Sequence, residues 1–177
     1  AISKTGVLDT SKLHTYKFNE DIFKKINIVP DGKNHGLIFI LDWSGSMNRC
    51  LLNTVKQLLE LVWFCQKVQI PFDVYAFSTQ YDANGYYRYS LNHDSKVGDL
   101  VVSDDFSLLH FLSSSVKKKN MDSQLLNLWR LSYALSNRGA QYKYPEKYWM
   151  GGTPLNETFV CLHQMIPQFK KDNNVQK

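Results

Sequence analysis

Leu37-Ile38-Phe39-Ile40-Leu41 is an unbroken run of large apolar residues, with Gly36 before it and a polar loop after it. No other feature restricts the fold as much. A strand with one wet face alternates apolar and polar residues, whereas an unbroken run asks for cover on both faces, as in the parallel sheet of an α/β domain. The next segments fit the same scheme. Leu51, Leu52, Val55, Leu58, Leu59, Val62 and Trp63 recur at three- and four-residue spacing, the signature of a helix with one broad packed face. Ile70-Pro71 ends that helix, and Phe72-Asp73-Val74-Tyr75-Ala76-Phe77-Ser78 has the aromatic and β-branched residues of a second strand. Strand, helix and strand in this order make a βαβ unit, whose crossover is nearly always right-handed. Open α/β sheets bind ligands beyond the carboxyl ends of their strands. The loop Asp42-Trp43-Ser44-Gly45-Ser46 lies at such an end.

That loop carries a carboxylate and two hydroxyls on alternate residues, a D-x-S-x-S pattern. Hard divalent cations take oxygen ligands, and Mg²⁺ in near-octahedral geometry usually keeps several waters. Hydroxyls are weak ligands, so a metal held mainly by them stays electrophilic and open to a further carboxylate. The plainer reading of the five residues is a polar turn after a core strand. A second loop shares the chemistry. Gly151-Gly152-Thr153-Pro154-Leu155 combines two permissive glycines, a hydroxyl and a proline suited to the first turn of a following helix. The plainer reading of Thr153 is a helix N-cap.

Elsewhere, Asn19 to Ile26 reads as a short amphipathic helix with Asn19 as its N-cap, and Pro30-Asp31-Gly32 as a turn. Tyr86 to Leu91 reads as a short edge strand or hairpin arm. Phe106 to Val116 and Ser123 to Leu135 read as helices. The second of these has Leu125, Leu128, Trp129, Ser132 and Leu135 along one face and ends at Asn137-Arg138-Gly139. From Asn156 a last helix carries Phe159, Val160, Leu162, His163 and Ile166 as far as Pro167.

The 177 residues suit one domain, and 44% hydrophobic with 21% charged residues is the balance of a globular chain. No stretch approaches the roughly 20 apolar residues of a membrane span, so no membrane partner is expected. The N-terminus lacks an initiator Met and the apolar core of a secretory signal, so the chain is expected to be processed or part of something longer. Cys50, Cys65 and Cys161 are odd in number and lack metal-ligand spacing; Cys65 reads as a core residue, and a reducing, cytoplasmic compartment is expected. A net charge of +5 favours acidic partners weakly. Lys117-Lys118-Lys119 reads as a solvated loop or helix end, and nucleic acid is not indicated. There is no G-x-x-x-x-G-K-[ST] loop, and His14, His35, His93, His110 and His163 show no paired zinc-ligand spacing.

Taken in order, each at a strand or helix boundary, the D-W-S-G-S loop at 42–46 and the G-G-T-P-L loop at 151–155 resemble the von Willebrand factor A (vWA) family with its metal-ion-dependent adhesion site. The resemblance covers residues 36–177, leaving 1–35 as an N-terminal extension and about 80–150 as an insertion. It implies a Rossmann-like α/β fold, a mainly parallel central sheet flanked by helices. It also implies that Ser44 and Ser46 ligate Mg²⁺, or Mn²⁺ or Ca²⁺, directly. Asp42 would act through water while holding the Ser hydroxyls, Thr153 would bind directly or through water, and Gly45 would let the backbone pass close to the ion. D-W-S-G-S-M, P-F-D-V-Y-A-F-S-T and Lys119 to Leu126 look similar to the intracellular CobT-type subunit of cobaltochelatase and its phage-encoded relatives. That likeness implies a noncatalytic subunit in the cytoplasm, the host's if phage-encoded, which captures an acidic residue of a protein partner and works with an AAA+ ATPase ring. In vWA domains a further strand ends in an Asp-Gly that supplies the remaining site carboxylate. The sequence ends at Asn173-Asn174-Val175-Gln176-Lys177, so that carboxylate is expected beyond residue 177. Asp82, Asp104 and Asp105 are alternative donors that otherwise read as solvated loop residues.

Two other classes compete. An Mg²⁺-dependent phosphatase would use Asp42 as nucleophile, but such enzymes usually need a second carboxylate two residues on, where Ser44 stands. A nucleic-acid-binding or structural viral protein would use Lys117 to Lys119.

Overall fold

The computed structural model describes residues 2–15, 17–18, 23–27, 35–80, 96–98, 102, 105–136 and 142–176. Asn19, the Pro30 turn, Asp82, Tyr86 to Leu91, Asp104 and the Asn137-Gly139 helix end lie outside them. The chain divides into two compact units, residues 1–32 and 33–177.

In the first unit β1 (Ile2–Leu8) pairs antiparallel with β2 (Phe23–Asn27), with a 3-10 turn at Thr10–Thr15 between them. Phe23 to Ile26 is therefore strand, not the helix expected from its amphipathic pattern. A helical run that short is marginal alone, whereas pairing with β1 supplies its backbone with partners.

The second unit is mixed α/β. Its elements are β3 (Leu37–Asp42), α1 (Leu51–Val68), β4 (Phe72–Thr79), β5 (Phe106–Ser113), α2 (Lys118–Leu135) and α3 (Leu155–Asn173). The sheet order is β3-β4-β5. β3 and β4 are parallel in continuous register from Leu37 opposite Phe72 to Asp42 opposite Phe77. The βαβ unit thus forms as read. Among the described residues the sheet is mixed instead of mainly parallel: β3 joins β4 parallel and β5 joins it antiparallel. Phe106 to Ser113, expected to be helical, has apolar residues on both parities and fits either period. The free edge of β4 decides the matter by satisfying its backbone.

Phe72, Val74 and Ala76 point to one face of the sheet, where α1 and α2 cover them with Leu51, Val55, Leu58, Leu59, Val62, Cys65, Met121, Leu125 and Leu128. Cys65 is fully buried, as expected, and burial pushes its thiol pKa up. Trp63 is not part of this core and is 55% exposed, because it lies one position round the helix from Val62. Trp129 is likewise at the exposed margin of α2 while Leu125, Leu128 and Ser132 are buried. Lys118 and Lys119 start α2, where the helix dipole disfavours cations.

α3 serves the other face. A Cβ on Gly36 would come within 2.5 Å of the Phe169 ring, so the glycine lets the helix close on the start of β3. α3 does not stop at Pro167 but continues to Asn173. The proline removes one helical hydrogen bond, and buried Phe169 just beyond it holds the last turns in place. Phe159 and Ile166 stay exposed. No helix among the described residues is long and apolar enough to cross a membrane.

Asp73 and Tyr75 project to the α3 side, opposite Ser113 and His110 of β5. The His110 ring stacks on Tyr75 at 4.3 Å between centroids, and its Nε2 is 3.6 Å from Asp73 Oδ1. Burial alone would raise the Asp73 pKa. Hydrogen bonds from His110, Ser113 and Tyr75, with the charge of His110, outweigh it and hold the carboxyl below its usual range. Burial first, then the Asp73 charge, pushes the Tyr75 phenol up to about 12.

A carboxyl depressed on folding adds stability above its unfolded pKa of about 3.9 and loses it as pH falls through the folded value. Asp73→Asn should therefore be less stable than the parent near neutral pH. The gap in urea midpoint should close as the pH is lowered below the ordinary aspartate range and through the depressed folded value.

Candidate functional site

The D-x-S-x-S loop leaves the carboxyl end of β3 without breaking its tie to β4: the Trp43 N–H donates to Phe77 O at 3.0 Å. Asp42 is the last residue of β3, and its Oδ1 accepts the Ser44 N–H at 2.9 Å, a local turn that fixes the carboxylate against its own loop. A 3-10 turn, Gly45–Arg49, follows. Ser44 Oγ and Ser46 Oγ are 3.0 Å apart. Ser44 is buried at 3% exposure while Ser46 is open to solvent, so the pair lies at a surface with one hydroxyl inside it. Trp43, between the two polar residues, is fully buried; its ring packs on Phe111 and its Nε1 donates to Tyr148 O at 2.9 Å.

The second loop is brought to the first by backbone contacts. Gly151 forms a parallel bridge with Ser44, and the Gly45 N–H donates to Gly151 O at 2.9 Å. Two residues at the end of β4 lock this arrangement. Ser78 Oγ donates to Trp43 O at 3.0 Å and accepts the Gly151 N–H at 2.8 Å. Thr79 Oγ1 accepts the Gly152 N–H at 2.6 Å. Sequence reading missed Ser78 and Thr79 as site residues. Their signal was two adjacent hydroxyls closing the strand at its carboxyl end, after the apolar Ala76 and Phe77.

The glycine requirement sits at Gly151. A Cβ there would meet Thr79 O at 2.1 Å, whereas one on Gly45 would be 3.7 Å from its nearest neighbour, Met150 O. Pro154 is not in the first helical turn. It occupies the position before Leu155 with φ −79 and ψ 68, the centre of an inverse γ-turn closed by Leu155 N–H to Thr153 O at 2.9 Å. Thr153 is exposed, does not cap α3, and its hydroxyl has no hydrogen bond among the described residues. Asp105 corrects one expectation. It is 5% exposed rather than a solvated loop residue, and its carbonyl accepts the Gln80 N–H at 2.8 Å.

No three His, Cys, Asp or Glu side chains converge among the described residues; the groups gathered here are one carboxylate and several hydroxyls. Comparison of the chain with protein-family models, curated proteins and solved structures finds no match.

Ser78→Ala should leave the Gly151 N–H without its acceptor and lower stability by about 1–3 kcal/mol. Gly151→Ala should cost a similar amount, about 1–3 kcal/mol, through the forced approach to Thr79. Gly45→Ala should stay within about 0.5 kcal/mol of the parent. Urea denaturation of the three variants checks the order.

Proposed function

We propose that the chain is a noncatalytic, metal-dependent interaction module of the vWA type. In this reading Ser44 and Ser46 hold an Mg²⁺-class cation, Asp42 positions them and the cation's waters, and Thr153 adds a hydroxyl from the second loop. The observation that carries it is the hydroxyl pair. Oxygens at adjacent corners of an octahedron, each about 2.1 Å from its centre, stand about 3.0 Å apart, and Ser44 Oγ and Ser46 Oγ are separated by 3.0 Å. An ordinary hydroxyl–hydroxyl hydrogen bond has nearly the same length, so the spacing requires no rearrangement on ligation. The second support is the Gly45–Gly151 contact, which joins the two loops that share the chemistry. The free Thr153 hydroxyl is the third.

The residues fit a hard cation, since all their donors are oxygen. When bound, such an ion would supply a Lewis-acidic coordination position, and Asp42, the one carboxylate among these four residues, would not neutralise it alone. A partner's Asp or Glu completes it. Capture therefore needs no bond-breaking chemistry, which separates this reading from an Asp42 phosphatase. The closer likeness to the CobT-type subunit would make the partner an AAA+ ATPase ring and its setting the cytoplasm.

The test uses Mn²⁺, paramagnetic and of the same ligand preference, titrated into the full chain by electron paramagnetic resonance. The parent should bind Mn²⁺ and be competed by Mg²⁺. Asp42→Ala and the double variant Ser44→Ala/Ser46→Ala should weaken binding by about 10–100-fold with unchanged far-UV circular dichroism. No binding by the parent at millimolar Mn²⁺, or equal binding by all three, overturns the proposal.

A further inference from the structure

Away from the Asp42 loop, a cleft of about 930 Å³ opens between α2 and the segment 142–148, lined also by His110 and Phe111 of β5. It shares no lining residue with the two hydroxyl loops. The volume falls in the range of small-molecule sites, about 300–1,000 Å³.

Its chemistry is uneven in an informative way. The walls are aromatic: Trp129 stacks on Tyr133 at 5.8 Å and 16° between planes, and Tyr142 meets Tyr133 at 5.9 Å. Trp129 is 36% exposed and Tyr142 53%, so these rings are presented to solvent instead of filling a core. The charges are all of one sign. Arg130 and Lys143 line the cleft, no carboxylate does, and neither cation has an ion-pair partner among the described residues. The third feature is Gln124. Its Oε1 is buried and lacks a hydrogen-bond partner among the described residues. Leaving a buried amide oxygen unmade costs on the order of 1–3 kcal/mol, so natural sites of this kind usually have a use for it.

We propose that this cleft binds a purine mononucleotide, with the base stacked on the Tyr133 ring, the tilted Tyr142 ring at its edge, and the phosphate between Arg130 and Lys143. A purine offers a flat π face for the aromatic walls, an N–H for the Gln124 oxygen, and an anionic group on a short tether. A bare aromatic ligand would leave both cations unmet. A phosphate alone would leave the rings wet and Gln124 unpaired.

The experiment is titration of the full chain with 5′-AMP and 5′-GMP, followed by tryptophan fluorescence and calorimetry. At least one nucleotide should bind at sub-millimolar to millimolar concentration. Tyr133→Ala should weaken that binding by about tenfold or more, and Tyr133→Phe, which keeps the ring, should restore it. Arg130→Gln with Lys143→Gln should abolish the preference for AMP over adenosine. Far-UV circular dichroism keeps loss of binding distinct from loss of fold. Three results overturn the proposal: neither nucleotide binding at millimolar concentration, phenyl phosphate binding as tightly as the better nucleotide, or oligoadenylate binding where the mononucleotides do not.

Discussion

One hydroxyl ties the hydroxyl-bearing loops together. Ser78 Oγ donates its proton to the carbonyl of Trp43 and takes the N–H of Gly151, so two segments separated widely in sequence hang on a single side chain buried at the end of β4. A hydroxyl suits the task because it is donor and acceptor in one atom. Thr79 beside it binds Gly152 and stands where only a glycine can pass. The result is that neither loop chooses its position alone. Both are referred to the same strand end, which the core holds from below through Phe72, Val74 and Ala76.

The parts of this arrangement that were legible in the sequence are those where a residue's neighbours in the chain decide its state. The spacing from Leu51 to Val62 announces α1 because it matches the helical period alone, and the short run Leu37 to Leu41 announces β3 by its length and its bounds, Gly36 and a polar loop. Phe106 to Ser113 matches two periods, and the choice fell to β4, a preceding element whose edge needed partners. Phe23 to Asn27 went the same way for the sake of β1. Trp63 and Phe159 are apolar yet exposed, because an apolar letter does not say how wide the covered arc of its helix will be. At the site, the oxygen-bearing residues could be read from type and spacing. What could not be read was the locking pair Ser78 and Thr79, whose partners are 73 residues away.

The two proposals fall on surfaces of opposite character. The loops around Ser44 offer oxygen donors and suit a cation; the α2 cleft offers rings and cations and suits an anion with a flat face. The two proposals stand on separate residues and fail separately. They touch at Tyr148, which lines the cleft and whose carbonyl accepts the buried Trp43 indole N–H. A shift of the 142–148 segment would thus be felt by the residue between Asp42 and Ser44.

The span of these ties bears on the order in which the molecule forms. β3, α1 and β4 are near neighbours in the chain and can assemble without residues 142–152. The Trp43–Tyr148 bond closes a separation of 105 residues, and the Gly151–Ser78 bond one of 73. Contacts that distant must meet their loop-closure entropy before they return any stability. The parallel pair with its helix is therefore the natural nucleus, and the joining of the two loops a late event. A chain halted before that event would already carry the packing of α1 on β3 and β4 and the Asp42 turn while lacking Met150 in the core and the Gly151 contact.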